Sequence, residues 1–510
     1  MTETKTISTT AGYALELTVF LCGAVVMTYE IIGSRIVSPF IGTSTYVWTS
    51  LIGVILAALS LGYWLGGKLA DRKPEIGILA SVIFLSGGAV SLTILFKDLV
   101  LSFVASGNIG LEIKSVIAAV ILFAPASILL GFVTPFAVKL KMQSLDDSGA
   151  TVGRIYALST IGSIVGTFAA GFLLIPFAGS TRTLYLIAGT LFFLAILLAP
   201  FAVSRSNIAI LTLFMLSIAG SEYSTYHLRQ SRGLHDIDTE YSRVQVFQTL
   251  YPKSGRTIQA LMFDPHFVQS AVYLDSDEIV FDYNRYYHLV QHFKPSHRQT
   301  LMIGGAGYTF PRDYLRKYPG SKIDVVEIDP QMTQIAQQFF RLEDDLRIRI
   351  IHEDGRIFLN HADSSKYDAV LMDAFGSLFT VPYQLTTVEA VRQIDRVLKD
   401  DGVVIFNLGS AITGQGSSFL QAEFATYKAV FPNVYLFKVN ADYTDESLQN
   451  LIIVASKSKN DPSLQSTDSD LAKLLSHHYP KDFPLTLPIL TDDLAPVEYY
   501  NSMAQNLYRR

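Results

Sequence analysis

Residues 300–329 read TLMIGGAGYTFPRDYLRKYPGSKIDVVEID. An apolar run over 300–304 enters a glycine-rich turn at Gly304, Gly305 and Gly307. A helical stretch over 308–318 follows, then a second apolar run over 323–328 that ends at Glu327 and Asp329. Glycines at such a turn let the backbone bend tightly and approach a ligand where a side chain would block it. Glu327 stands 20 residues after Gly307, the distance at which an acidic residue takes the ribose hydroxyls bound beside such a loop. No Gly-Lys-Ser/Thr follows, so phosphate binding lacks its lysine. An adenosine without phosphates fits better than a nucleoside triphosphate.

Working outward, a helix is expected over 332–340 and a strand before Asp354-Gly355. A strand over 368–372 follows, ending at Asp373, then a helix over 388–398 and a strand over 402–407. Strands alternating with helices predict a doubly wound, mostly parallel sheet. Such a sheet binds ligands at the carboxyl ends of its strands, and the acidic or glycine-rich strand ends here fall at that edge. Upstream, 241–250 alternates like a strand, and 256–274 reads as a strand pair around Asp264-Pro265, which predicts a small β sheet ahead of the α/β core.

The rest of the chain is of another kind. Of its 510 residues 50% are hydrophobic and 17% charged, with a mean hydropathy of +0.32. That is too apolar for an ordinary cytosolic protein and excludes a disordered one. The net charge of −5 divides into +3 on residues 1–221 and −8 on 222–510. Neither half is polybasic, so no nucleic-acid partner is expected. The single cysteine, Cys22, excludes a disulfide framework and a multi-cysteine metal site, and no metal is expected.

Residues 36–67, 77–96, 115–138, 155–181, 183–204 and 206–221 contain no Asp, Glu, Lys or Arg, and 13–34 contains only Glu16 and Glu30. A helix needs about 20 apolar residues to cross a bilayer. All six charge-free runs reach that length except 206–221, which is short enough to lie along the surface. The first half therefore reads as an integral membrane domain of six to eight helices whose partner is the lipid bilayer. Lys68, Arg72, Lys73, Lys139, Lys141 and Arg154 mark cytoplasmic loops by the positive-inside rule. Seven full spans from a cytoplasmic N-terminus would put the second half outside. The second half is nonetheless expected on the cytoplasmic side, so 206–221 or an earlier segment should fail to cross. Residues 66–73, GGKLADRK, resemble a cytoplasmic loop of major-facilitator transporters. Glu30, at membrane depth, is read as pairing with Arg35 or as handling a substrate or proton.

Residues 241–410 resemble the spermidine synthase (polyamine aminopropyltransferase) family. The resemblance is carried by Tyr241-Ser-Arg-Val-Gln-Val, 261–269, Asp277-Glu278, Tyr286-Tyr287-His288 before His292, 303–307 with Arg312-Asp313, Val326-Glu327-Ile328-Asp329, Asp354-Gly355 and Tyr367-Asp-Ala-Val-Leu-Met-Asp373. The whole chain, with Thr491-Asp492-Asp493 and Pro496-Val-Glu498, looks like that family's membrane-bound branch. The resemblance implies three regions. Residues 1–221 are a polytopic α-helical membrane domain, 222–298 a linker and small β subdomain, and 299–510 a Rossmann-like methyltransferase-type domain. It also implies S-adenosylmethionine or its decarboxylated form as substrate, held by Gly304, Gly305, Gly307 and Gly355. Glu327 would take the ribose, Ile328 the adenine face and Asp354 the adenine amino group. Gln269, Tyr286 and Tyr287 would close over the sulfonium, with Asp373 beside the transferred group. On pattern alone the tyrosines also read as a core helix face, and Asp373 as a helix cap.

Two departures bear on the chemistry. The family's loop reads Gly-Gly-Gly-Asp-Gly, and its Asp neutralises the donor's free ammonium; Gly307 stands in that slot. Removing the acid removes a repulsion against the carboxylate of intact S-adenosylmethionine, about 4 kcal/mol for like charges 4 Å apart at an effective dielectric near 20. The family's acceptor motif carries a second Asp where this chain has Gly376, before Ser377, though Asp492 or Glu498 are substitutes to consider. These departures favour intact S-adenosylmethionine, cleaved at the S–Cγ bond to methylthioadenosine with lactone formation or aminocarboxypropyl transfer. The alternatives are true spermidine synthesis from the decarboxylated donor and putrescine, methyl transfer, or a transporter or sensor with a nucleoside-binding domain. Soluble relatives are often oligomers, and the oligomeric state is left open.

Overall fold

The computed structural model describes residues 9–508 apart from 43, 108, 143–147, 200–204, 264–266, 375–380, 461 and 483–484. Asp264, Pro265, Gly376 and Ser377 lie outside the described residues. Two compact units form, Met1–Ser231 and Arg232–Arg510, so the boundary falls later than the expected 221/222. The last apolar run continues as one helix, Arg205–Arg232, through the polar residues that follow it.

Among the described residues, seven helices of the first unit are long and apolar enough to cross a membrane. The fourth, Ala124–Lys141, follows the helix Leu111–Leu122 after a break and is itself broken into Ala124–Gly131 and Val133–Lys141, with Pro125 and Pro135 removing backbone donors. At the first break the Leu122 carbonyl accepts from the Tyr29 hydroxyl at 2.9 Å and from Thr93 Oγ1 at 2.7 Å, so the interrupted backbone is satisfied inside the bundle. The helices Thr9–Ile41 and Ser148–Ala169 touch backbone to backbone. A Cβ at Gly162 would collide with the Phe20 carbonyl, and one at Gly166 with that of Ala24. Asp71 pairs with Lys139 at 2.8 Å, and Glu16 with Arg154 at 2.8 Å and with Lys141. These ion pairs gather the start of the first helix and the ends of the second and fourth on one face. The helix Arg205–Arg232 is mostly exposed: only 6% of its apolar window is buried, against 67% for Ile76–Ser106, although Phe214 packs on Phe192.

The second unit begins with an antiparallel sheet of β1 (His235–Asp238), β2 (Arg243–Leu250), β3 (Thr257–Met262) and β4 (Ser270–Tyr273). The main sheet contains β5 (Gln299–Ile303), β6 (Lys322–Glu327), β7 (Ile348–His352), β8 (Tyr367–Met372), β9 (Leu398–Ser410), β10 (Asn433–Lys438) and β11 (Gln449–Ser456). Its order is β10-β11-β9-β8-β5-β6-β7. Strands β5 to β9 are parallel, and β11 is inserted antiparallel against β9. This is the expected Rossmann-like, methyltransferase-type sheet with a mixed edge. Alternate residues pack on opposite faces, with Leu301, Ile303 and Val326 in one core and Met302, Val325 and Leu371 in the other, as strands covered by helices on both sides require. The order reverses between β5 and β8, and at such a point the two loops diverge and leave a crevice.

The helix contact makes a prediction. Gly162→Leu or Gly166→Leu forces apart a contact with no room for a side chain and should cost about 1–3 kcal/mol or more. Gly53→Leu, where nothing lies within 4 Å, should be neutral. Thermal unfolding of the detergent-solubilised protein checks this, and equal effects at all three sites would refute it.

Candidate active site

The crevice is built from backbone before any side chain enters it. Gly304 N–H donates to the Val326 carbonyl, and Asp373 N–H to the Ile303 carbonyl, both at 2.9 Å. The ends of β5, β6 and β8 are thus locked together. Gly304 has φ +96°, and a Cβ there would strike the Asp373 carbonyl, so both conformation and space demand glycine. A Cβ on Gly305 would lie 2.7 Å from the Tyr308 ring, and one on Gly355 2.6 Å from Ile303 Cγ2. Ala306, at φ +44°, holds a left-handed conformation that costs a non-glycine residue energy.

Glu327 anchors this loop. Its Oε2 accepts from Gly305 N–H at 2.9 Å and Ala306 N–H at 3.0 Å, and Oε1 accepts from Asp329 N–H at 3.0 Å. Burial pushes its carboxyl up, and the three N–H bonds pull it partly back. A carboxylate offers about four acceptor positions, so one remains for a hydroxyl, fewer than an unencumbered Glu327 would offer two ribose hydroxyls. Asp354 caps the helix Gly355–His361 through Oδ1, which accepts from Arg356 and Ile357 N–H, and Oδ2 is left for a ligand. Ile328 is 38% exposed, an apolar face on the cavity wall.

These groups line a cavity of about 320 Å³, together with Gln269, Gly304, Gly305, Gly355 and Asp373. The structure does not bring every expected residue to it. Gly307 lies behind the wall, its N–H donating to Ser270 Oγ at 3.1 Å. Tyr286 points away, with its hydroxyl 2.6 Å from His477 Nδ1 and 2.9 Å from the Lys438 carbonyl. Tyr287 is fully buried beneath Asp373, its hydroxyl donating to the Met372 carbonyl at 3.2 Å. In their place Tyr283 and Asn284 face the cavity. The segment mixes α and 3₁₀ turns over 282–293, so a helical repeat could not assign the inward face. Asp492 is held by Arg356 at 2.7 Å and Thr387 at 2.6 Å, outside the cavity lining.

Asp373 lines the same cavity. Its Oδ1 accepts from Asn407 Nδ2 at 3.2 Å, and Asn407 Oδ1 in turn accepts from Asn450 Nδ2 at 3.0 Å. Burial pushes the Asp373 carboxyl up to about 7, with Asn407 and Tyr287 hydrogen bonds opposing the rise. A carboxyl so tuned can take a proton near neutral pH. Asn407 and Asn450 were not singled out from sequence. Asn407 follows the residue paired with Met372 across β8 and β9 and could have been inferred once that pairing was known. Among the described residues no cluster of His, Cys, Asp and Glu could hold a metal.

The spermine/spermidine synthase domain matches residues 281–466. The polyamine aminopropyltransferase of Streptococcus uberis is 30% identical over 208 residues, 40% of this chain and 68% of that protein. The chain belongs to the spermidine synthase family. The corresponding protein of Vibrio vulnificus is 27% identical over 289 residues, covering 54% of this chain and 93% of its own. Polyamine aminopropyltransferase 1 of Streptomyces coelicolor is 24% identical over 428 residues, 78% of this chain and 76% of its own. That last match is longer than the second unit, so this family member shares part of the apolar half as well.

The Asp373 shift gives a stability prediction. An acid whose folded pKa lies above its unfolded value near 3.8 binds more protons when folded. Its contribution is therefore present below about pH 4 and lost as pH rises toward 7, at up to about 1.4 kcal/mol per pH unit. Chemical denaturation of ligand-free enzyme should show wild type losing stability relative to Asp373→Asn across that window. A pH-independent difference would contradict the assignment.

Proposed function

We propose that this protein transfers the aminopropyl group of decarboxylated S-adenosylmethionine to an amine, releasing methylthioadenosine. The observation that carries this reading is the charge of the cavity. Glu327, Asp329, Asp354 and Asp373 line it, and no described lining residue is Lys, Arg or His. The decarboxylated donor brings a sulfonium and an ammonium and no anion. Intact S-adenosylmethionine brings a carboxylate for which this lining offers no cation. The reading therefore reverses the preference for the intact donor drawn from Gly307. A Cβ at 307 would lie 2.8 Å from Ser270 Cβ, so the slot left by the family's Asp is filled by Ser270 and is not an opened carboxylate pocket.

In this reaction the amine lone pair attacks the carbon next to sulfur and the S–Cγ bond breaks. Sulfur keeps the electron pair as a neutral thioether, and the proton of the new ammonium passes to Asp373. The sulfonium is already activated, so what the site supplies is orientation and a proton acceptor. Gly307 favours a second reading. With no acid there, the Ser270 hydroxyl, which lines the cavity, is a donor toward a carboxylate, and intact S-adenosylmethionine is the substrate.

The tether is part of the proposal. The seven apolar helices and the extent of the Streptomyces match support a membrane-bound enzyme. The face rich in Lys139, Lys141 and Arg154 is taken as cytoplasmic. A catalytic unit on that side requires Arg205–Arg232 to lie along the membrane rather than cross it, in keeping with its slight burial. A C-terminal reporter active only in the cytoplasm is the expected result, and a periplasmic signal would overturn this topology.

Mass spectrometry of detergent-purified enzyme tests the donor. An aminopropylated amine with methylthioadenosine is expected from the decarboxylated donor plus putrescine, and nothing from S-adenosylmethionine alone. Methylthioadenosine from the intact donor would establish the second reading, and no product from either would leave a sensor. For the productive donor, kcat/KM should rise with pH through a midpoint near 7 as the Asp373 carboxyl ionises and level off above about pH 8. Asp373→Asn should lower kcat about 10²–10⁴-fold and abolish that rise.

A further inference from the structure

We infer that Glu30 is a reversible proton-binding site inside the first unit, so that the apolar half of the chain takes up and releases a proton as well as tethering the enzyme. The inference rests on the reading of the apolar helices as membrane spans. Glu30 lies in the first of them, Gly12–Ile41. It stands 14 residues beyond Glu16, about 21 Å further along the helix axis. Glu16 marks the charged face, bonded to Arg154 at 2.8 Å and to Lys141. With about 30 Å of hydrocarbon to cross, Glu30 falls within it. The side chain is half-buried and makes no hydrogen bond or ion pair among the described residues. The pair with Arg35 expected from the sequence is not made, and Arg35 is engaged elsewhere.

An interrupted helix stands at the same depth. The helices Thr9–Ile41 and Ser148–Ala169 run parallel, in a register that sets Gly162 on Phe20 and Gly166 on Ala24. Continued, that register puts Glu30 level with Phe172. There the second helix makes a π turn, Ala170–Leu174, in which Ile175 N–H bonds to the Ala170 carbonyl five residues back. This turn packs on the first helix. Pro176 has no N–H, so the Gly171 carbonyl, next in the same register, loses its donor. An ionised carboxylate without a partner is expensive at this depth, and such residues mark proton or ion sites. A hard metal cation takes about six oxygens, more than one carboxylate and one freed carbonyl supply, whereas a proton needs the carboxylate alone. Once protonated, the acid has an O–H to donate, and a carbonyl short of a donor lies at its level. Away from the Glu16 end, the charged groups on the helices packed against this one are Arg35, Lys97, Asp98, Glu112, Lys114 and Arg182. Lys97 pairs with Asp98 at 2.9 Å, Lys114 donates to the Ala105 carbonyl at 2.6 Å, and none of the six is bonded to Glu30.

The test is carbodiimide labelling of the full-length protein in phosphatidylcholine vesicles, floated on a density gradient beforehand to show that it is membrane-bound. Dicyclohexylcarbodiimide is apolar and attacks protonated carboxyls, and peptide mass spectrometry reads the labelled residue. Glu30 should be labelled, at a rate that falls about tenfold per pH unit once most of the sites are ionised. Glu30→Gln should remove the label, and Glu30→Asp, which keeps a carboxyl, should retain it. Because the wild-type pH profile is measured on one preparation, a variant that fails to fold does not decide the outcome. No label at Glu30 between about pH 5 and 9, or a rate that ignores pH, would overturn the inference. Protection by sodium chloride but not by N-methylglucamine chloride at fixed pH would overturn it too, by making the ligand a metal cation. Protein that does not float with the vesicles would instead remove the reading of the spans on which it rests.

Discussion

The site depends on one buried carboxylate. Glu327 ends β6, and its oxygens gather the N–H groups of Gly305, Ala306 and Asp329. An ionised carboxylate in a low-dielectric interior is tolerated only when so bonded, and the loop keeps its left-handed turn because that bonding is available. With the loop fixed, Gly304 can lie against the Asp373 carbonyl, the strand ends of β5 and β8 come together, and Asp373 is held over the cavity. Replacing Glu327 would therefore disturb the far side of the crevice as well as its own hydrogen bonds. The Glu327 anchor and the Asp373 carboxyl are mechanically one construction.

Much of this was legible in the sequence because it is local. A glycine loop between an apolar run and a helix, with an acid twenty residues on, fixes its own geometry, and the strands ending at Glu327 and Asp373 stand where periodicity put them. What escaped depends on pairing between distant segments. Strand β11 is inserted between β9 and β10, which brings Asn450 beside Asn407, and no pattern within 449–456 signals a neighbour at 398–410. The tyrosine segment escaped for a different reason. Its turns change from α to 3₁₀, so the face that looks inward carries Tyr283 and Asn284, while Tyr286 and Tyr287 became core. Gly307 was read as the absence of a charge, whereas its meaning lies in Ser270, a residue of another sheet that fills the space. In the apolar half, the charge-free runs located the helices, but Arg205–Arg232 runs on through polar residues because helix continuity follows backbone bonding, not hydropathy.

A single acid and a line of amides do together what two acids would do less well. Two carboxylates within a few ångströms repel, so that one of them stays protonated until a cation arrives. Here burial pushes the Asp373 carboxyl up to about 7, and Asn407 and Asn450 extend its hydrogen bonding without adding charge. On the proposed reaction, a donor that brings two positive charges favours the ionised form of Asp373 and lowers its pKa. The base is therefore most completely formed when the sulfonium is in place, and half protonated near neutral pH when the cavity is empty. By linkage the proton released as the donor enters reappears as pH-dependent donor affinity, which weakens as pH falls through 7.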